Sequence, residues 1–274
     1  MRVLIITDLE AVAGVIDKDN WTRPGTTYYE KAKRLLTEET NAAVQGFIDG
    51  GADDVVVVDG HGPGAIDIEL IHEEAKYVRG IPSHRIYENM KVDAIAWVGQ
   101  HAKAGTEGAH MAHSGNFTVI DYRLNGISMG EFGRSAVGAG NFDIPPIFGS
   151  GDKAFALEAN ASCPNMITVV VKECYEKGSG DDMTYEEYYK KNTGAIHLSP
   201  GKSRKLIYKG ALKAMQEFMA DKSKFNCIKV NPPYVQFQRI RPSEGKRGHD
   251  IIKRADTFDG LLNAPEEIIE WNKK

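Results

Sequence analysis

The sequence predicts an α/β fold: three layers, α/β/α, around a mixed and mostly parallel sheet, with a smaller α+β part at the C-terminal end. Three observations lead there. Short runs of almost wholly apolar residues recur along the chain, as strands covered on both faces require. Between the first two lies a long segment with helical periodicity, the alternation that builds layered α/β domains. After about residue 195 the texture changes to one long amphipathic segment followed by short strand-like runs.

The predicted strands are Val3–Thr7, Val55–Asp59, Ala94–Val98 and Thr168–Lys172. From Tyr28 to Asp49, Ala32, Leu35, Leu36, Ala43 and Phe47 keep the spacing of one helical face, and Gly50-Gly51 supplies the stop. In FTVIDYRLNGISMG, Phe117, Val119, Asp121 and Arg123 alternate with their neighbours, and Asn125-Gly126 is a strong hairpin turn. That hairpin is expected to add antiparallel character to the sheet. Ser199-Pro200 starts an amphipathic helix running to Ser223. CIKV and YVQFQRI follow as strands, and a helix from Ala264 to Asn272 closes the chain. The expected division is a metal-binding catalytic domain over 1–195 and a smaller α+β domain over 196–274, forming part of the active-site wall or an oligomer contact.

Composition excludes some functions. The chain has 274 residues, 42% of them hydrophobic and 26% charged, which suits a globular protein with a sizeable core. A formal charge of −4 gives no electrostatic attraction to nucleic acid or to an anionic membrane. No apolar run approaches the roughly 18 residues of a membrane span. The first apolar run stops at Thr7-Asp8, too early for a signal peptide. Cys163, Cys174 and Cys227 are odd in number and far apart, so free thiols and a cytoplasmic location are expected.

Chemistry gathers where the apolar runs end. Asp8 and Glu10 follow the first, and alternate residues of an extended chain point the same way. Two adjacent carboxylates repel unless something positive lies between them. Asp59 and His61 follow the second strand, in DGHGPG, while His101, His110 and His113 follow the third. Carboxyl ends of strands line the ligand crevice of open α/β sheets. Carboxylate and imidazole together suit zinc, manganese or iron, and a divalent ion answers the repulsion. Each acid also has a plainer reading: Asp8 as a turn cap, Asp59 bonded to the amides of the glycines that follow it, Asp152 as a helix N-cap after Gly149 and Gly151. Glu131, after the hairpin, either favours a helix N-terminus or serves as a partner or ligand among closely packing small residues.

TDLEAVAG, DGHGP, GQHAKAGTEG followed by AHS, NGISMGEFG, FGSGD and VVVKE occur in this order over about the first 175 residues. The set resembles the zinc-dependent D-aminopeptidases encoded with dipeptide-transport operons. The resemblance implies two zinc ions per subunit: one held by Asp8, Glu10 and His61, the other by Asp8, His101 and Glu131, with Asp8 bridging. It implies His113 as the catalytic histidine, as general acid/base or as nucleophile, and leaves His110 outside the match. It also implies hydrolysis of the N-terminal residue of short peptides or amino-acid amides, D-amino acids included. A homo-oligomer is implied too, a ring or stacked rings enclosing the active sites. Leu9 and Ala11 stand where the family has methionine and glycine. Leucine preserves the volume, whereas Ala11 restricts the loop beyond Glu10.

Two other classes compete. A metal-dependent phosphohydrolase, or another amidohydrolase, also uses acids and histidines at strand ends. GHGPG is broken by a proline and no GKS/T follows, so a P-loop is excluded. A non-catalytic peptide- or metal-binding protein of the same fold has less physical reason to keep all five ligand residues.

Overall fold

The computed structural model describes residues 1–80, 83–191 and 193–271. In chain order it contains β1 (Arg2–Thr7), α1 (Lys18–Trp21), α2 (Tyr29–Asp49), β2 (Asp54–Asp59), β3 (Ala75–Val78), α3 (Ser83–Asn89) and β4 (Ala94–Gln100). Then come β5 (Val119–Leu124), β6 (Ile127–Ser128), α4 (Glu131–Gly140), β7 (Pro146–Asp152), α5 (Lys153–Ser162) and β8 (Ile167–Cys174). The chain continues through α6 (Tyr185–Lys190), β9 (Ala195–His197), α7 (Pro200–Ala220), β10 (Tyr234–Ile240), β11 (His249–Ala255), α8 (Gly260–Asn263) and β12 (Glu267–Glu270).

A seven-stranded sheet runs β3-β2-β1-β4-β7-β8-β9, parallel throughout except for β9, which is antiparallel to β8. The order reverses direction between β1 and β4, the kind of switch point where the crevice of an α/β sheet opens. Register is what assembles the site. Thr7 pairs with Asp59 on one side and with Val98 on the other, so three loops leave the sheet at one level. On one face α2 and α7 pack together, burying Leu36, Val44 and Phe47 against Ile207, Ala211 and Met215. The contact is close because Gly46 has no side chain; a Cβ there would lie 2.5 Å from the Tyr208 carbonyl. On the other face Trp97, Phe132 and Phe155 meet edge to face under α4 and α5.

A second, antiparallel sheet runs β12-β11-β10-β5-β6. Asn125 and Gly126 turn its hairpin with φ of +49° and +82°, as a tight two-residue turn demands. The expected hairpin therefore forms, but it joins the C-terminal strands rather than the main sheet, whose mixed character comes from β9.

Two expectations fail, and one inner strand of the main sheet goes unpredicted. CIKV forms no strand, because Ile228 instead backs onto α4, where a Cβ on Gly140 would lie 2.0 Å from the Ile228 carbonyl. The closing segment forms β12 instead of a helix: it is too short to stabilise a helix alone, and pairing with β11 satisfies its backbone. Its last expected residue, Asn272, lies outside the described residues. Strand β7 was hidden by Pro146, Gly149 and Gly151. Gly151 is required there, since a Cβ would lie 1.9 Å from the Gln100 carbonyl.

Candidate metal centre

Asp8 and Glu10 lie in the loop leaving β1, and both are buried. The backbone fixes them: Asp8 N donates to the Val98 carbonyl at 2.8 Å and Ala11 N to that of Gly99 at 3.0 Å. Gly99 adopts φ +77°, and a Cβ on it would lie 2.0 Å from the Asp8 carbonyl. Such an approach is open to glycine alone. The Asp8 side chain accepts from Leu9 N at 2.8 Å and from Gln100 Nε2 at 3.2 Å.

His61 reaches the pair from the loop after β2. Its Nδ1 lies 3.3 Å from Asp8 Oδ1 and 3.2 Å from Glu10 Oε2, while its Nε2 donates to the Thr22 carbonyl at 2.9 Å. The ring thus turns one nitrogen onto two carboxylates, and the other is anchored on a backbone oxygen. Histidine ligands of metals are held in this way.

His101, after β4, repeats the pattern. Its Nδ1 donates to the Ala102 carbonyl at 2.8 Å, and its Nε2 lies 3.3 Å from Asp8 Oδ2 and 3.8 Å from Glu131 Oε1. His113 does so a third time, with Nδ1 on the Met111 carbonyl at 3.1 Å and Nε2 3.4 Å from Glu131 Oε1. The His101 and His113 rings stack at 4.1 Å, and Phe117 stacks on His113 at 4.5 Å. Glu131 opens α4 and accepts from Gly115 N at 2.8 Å.

Two donor clusters result: Asp8, Glu10 and His61, and His101, His113 and Glu131. Asp8 Oδ2 faces the second cluster, so one carboxylate serves both. Within them His101 Nε2 and Glu10 Oε2 are buried without a hydrogen bond. Buried polar atoms are normally satisfied, so two orphans in one cage of imidazoles and carboxylates fit a pair of cations. The donor set of nitrogen and oxygen fits zinc.

The charges agree. Burial pushes Asp8 up, but His101 and His61 beside it hold its carboxyl well below the usual range. Burial pulls His61 down, yet Glu10 and Asp8 carry it up to about 12. His101 is likewise raised well above its ordinary value, against burial, by Asp8 and Glu131. Glu131 is lowered, its burial outweighed by His113 and His101. The cage calls for positive charge, and protons on imidazole meet that demand when metal does not.

The other sequence candidates separate. Asp59 turns away and accepts from Ala65 N at 2.9 Å, Ile66 N at 3.3 Å and the Tyr77 hydroxyl at 3.1 Å. Asp152 caps α5 through Phe155 N at 2.8 Å and also takes His110 N at 3.0 Å. His110 is fully buried with Nε2 on the Ile16 and Thr193 carbonyls, outside both clusters.

Sequence reading passed over the groups that brace the loop after β1. Lys172, buried on β8, donates to the carbonyls of Glu10 and Val15, the latter at 3.0 Å. Burial brings its amine down to about 7. Glu39 of α2 accepts from Ala13 N at 3.2 Å, and His197 Nδ1 accepts from Gly14 N at 3.1 Å. Burial raises Glu39 to about 7. The available signal was a lysine at the end of an apolar strand, in VVVKE.

Known proteins are similar to this chain in sequence and fold. A curated D-aminopeptidase of Bacillus subtilis (strain 168) is 30% identical over 183 residues, which are 65% of this chain and 66% of that protein, just under two thirds of its length. The solved structure of the Zn-dependent D-aminopeptidase DppA from Bacillus subtilis, described as a self-compartmentalizing protease, superposes with a TM-score of 0.76. It is 25% identical, and the match covers 88% of this chain and 81% of that one. The model of the peptidase family M55, D-aminopeptidase, matches residues 1–256. With nearly the whole chain under that match, this protein belongs to the M55 family of D-aminopeptidases.

Proposed function

We propose that the protein is a zinc-dependent aminopeptidase removing the N-terminal residue from short peptides or amino-acid amides, D-configured ones included. The observation that carries this is the Asp8 carboxylate, whose two oxygens face His61 and His101 separately. One zinc is assigned to Asp8, Glu10 and His61, and the second to Asp8, His101 and Glu131. When bound, such a pair supplies the Lewis acidity that activates water and polarises a carbonyl.

The chain's own groups do the rest. Gln100 Nε2 orients the Asp8 carboxylate. The carbonyls of Thr22 and Ala102 fix the tautomers of His61 and His101. His113 is assigned the proton transfer: Met111 holds its Nδ1–H, leaving Nε2 as the site that takes a proton and returns it to the leaving amine. Its Nε2 also lies close enough to Glu131 to ligate, so His113→Ala separates the roles. Full zinc content with activity reduced 100-fold or more, on the order of a lost general acid/base, supports catalysis. Loss of one zinc assigns His113 to the metal.

The reading is tested with zinc-loaded protein on aminoacyl anilides of D and L configuration beside nitrophenyl phosphate. Hydrolysis of the phosphate alone overturns it. We further propose a homo-oligomeric ring, in keeping with the self-compartmentalizing relative, to be checked by light scattering. Among the described residues no helix is long and apolar enough to cross a membrane. A cytoplasmic location is proposed on the three free cysteines. We propose that the part of the chain beyond residue 195 supplies wall residues of the site such as Gln236 and Leu261, beside Tyr122 of β5, with which β10 shares a sheet.

A further inference from the structure

A cavity of about 410 Å³ opens beside the metal centre, with Asp8 and Glu131 on its wall. Ligand sites run from roughly 300 to 1,000 Å³, so this one suits a ligand of a few residues. The wall also carries Arg134, Tyr122 and Gln236. Arg134 lies one turn beyond Glu131 on α4, and its guanidinium packs over the Tyr122 ring, 5.0 Å from the centroid. Among the described residues it forms no ion pair, although it is half-buried. The Tyr122 hydroxyl donates to Gln236 Oε1 at 3.1 Å, which leaves the Gln236 amide NH2 as a donor. A guanidinium and an amide NH2 therefore flank one ring, and among the described residues no carboxylate lies within ion-pair distance of the guanidinium, Glu131 feeling its charge only from further off. Of the other acids on the wall, Asp59 is held by its own loop, and Asp259 has a partner of its own.

We propose that Arg134 and Gln236 form a subsite for the substrate's carboxylate, so that the preferred substrates are short peptides with a free C-terminus rather than amino-acid amides. This rests on the aminopeptidase reading. With the scissile bond at the metal centre, the far end of a short peptide comes to the arginine. A planar guanidinium braced on an aromatic face matches a carboxylate in shape and charge. The same carboxylate finds no such partner among Asp8, Glu10 and Glu131, so its recognition also orients the peptide with its amine towards the metals.

The test uses zinc-loaded protein and dialanine in D,D and L,L forms, each as free acid and as C-terminal carboxamide. The ratio of kcat/KM for acid over amide is compared between wild type, Arg134→Met and Arg134→Lys. The expected ratio favours the acid by on the order of 10- to 100-fold in wild type, the range of a charge-assisted hydrogen bond. It falls towards one in Arg134→Met, mainly through KM, and recovers in part in Arg134→Lys. A ratio that is the same in wild type and Arg134→Met overturns the proposal, since a merely structural role slows both substrates together. If wild type cleaves neither peptide, the aminopeptidase reading falls, and calorimetric binding of the same acid and amide pair decides the subsite separately. Weaker binding of the acid alone in Arg134→Met supports it, and equal binding of acid and amide by wild type overturns it.

Discussion

His61 and His101 sit on opposite oxygens of one carboxylate: His61 Nδ1 lies 3.3 Å from Asp8 Oδ1, and His101 Nε2 lies 3.3 Å from Asp8 Oδ2. Removing that carboxylate therefore affects both clusters. Asp8→Ala is expected to lose both zinc ions on dialysis, whereas Glu10→Ala loses one. Elemental analysis of the purified variants checks this, and full zinc retention in Asp8→Ala excludes the bridging role.

Metal removal leaves buried acids and imidazoles compensated by protons alone. A chelator is expected to lower the Tm, and zinc at a hundred times its Kd to restore about 2.7 kcal/mol for each site it fills. Calorimetric scans with and without zinc measure the difference. An unchanged Tm on verified loss of zinc contradicts the site.

Lys172 ties the Glu10 and Val15 carbonyls to β8. Lys172→Met leaves both without that donor, at a cost of about 1–3 kcal/mol for an unsatisfied buried group. Denaturant unfolding of the apoprotein and zinc titration should both shift. Wild-type values for both mean that the loop holds itself.

Gly99→Ala places a methyl against the Asp8 carbonyl in a backbone conformation that alanine resists. The expected loss is about 2–4 kcal/mol, combining strain with overpacking. Urea midpoints, together with zinc content, measure it. An unperturbed midpoint shows that the β1 and β4 loops can part without cost.

His110 is held neutral. Burial, with Lys172 and His197 nearby, depresses its pKa from the ordinary 6.5 to about 2. A depressed folded-state pKa means stability that is present above pH 6.5 and lost progressively as the pH falls towards 2. At about 1.4 kcal/mol per unit, wild type should lose roughly 2 kcal/mol more than His110→Gln between pH 6.5 and 5. Urea unfolding at both values tests the slope, and parallel slopes refute the assignment.

Periodicity and strand-end chemistry made much of this legible. Asp8, Glu10, His61 and His101 were visible because apolar runs end abruptly at them, and register alone then brings three loops level. Strand β7 was not visible, since Gly149 and Gly151 answer to a neighbouring backbone rather than to strand propensity. β12 misled because four residues carry too little local preference to resist an edge that offers hydrogen bonds. Nothing in the local pattern gives Lys172 or Glu39 a task; only their burial against loop carbonyls and amides does.

The sequence by itself determined the α/β layering, the donor types and their places at strand ends, because those depend on local periodicity and side-chain chemistry. Tertiary structure decided which histidine nitrogen faces which oxygen, that His113 shares Glu131 with His101, and that Arg134 and Gln236 meet around Tyr122. Those relations join residues far apart in the chain, and only the packing of two sheets around one crevice sets their distances.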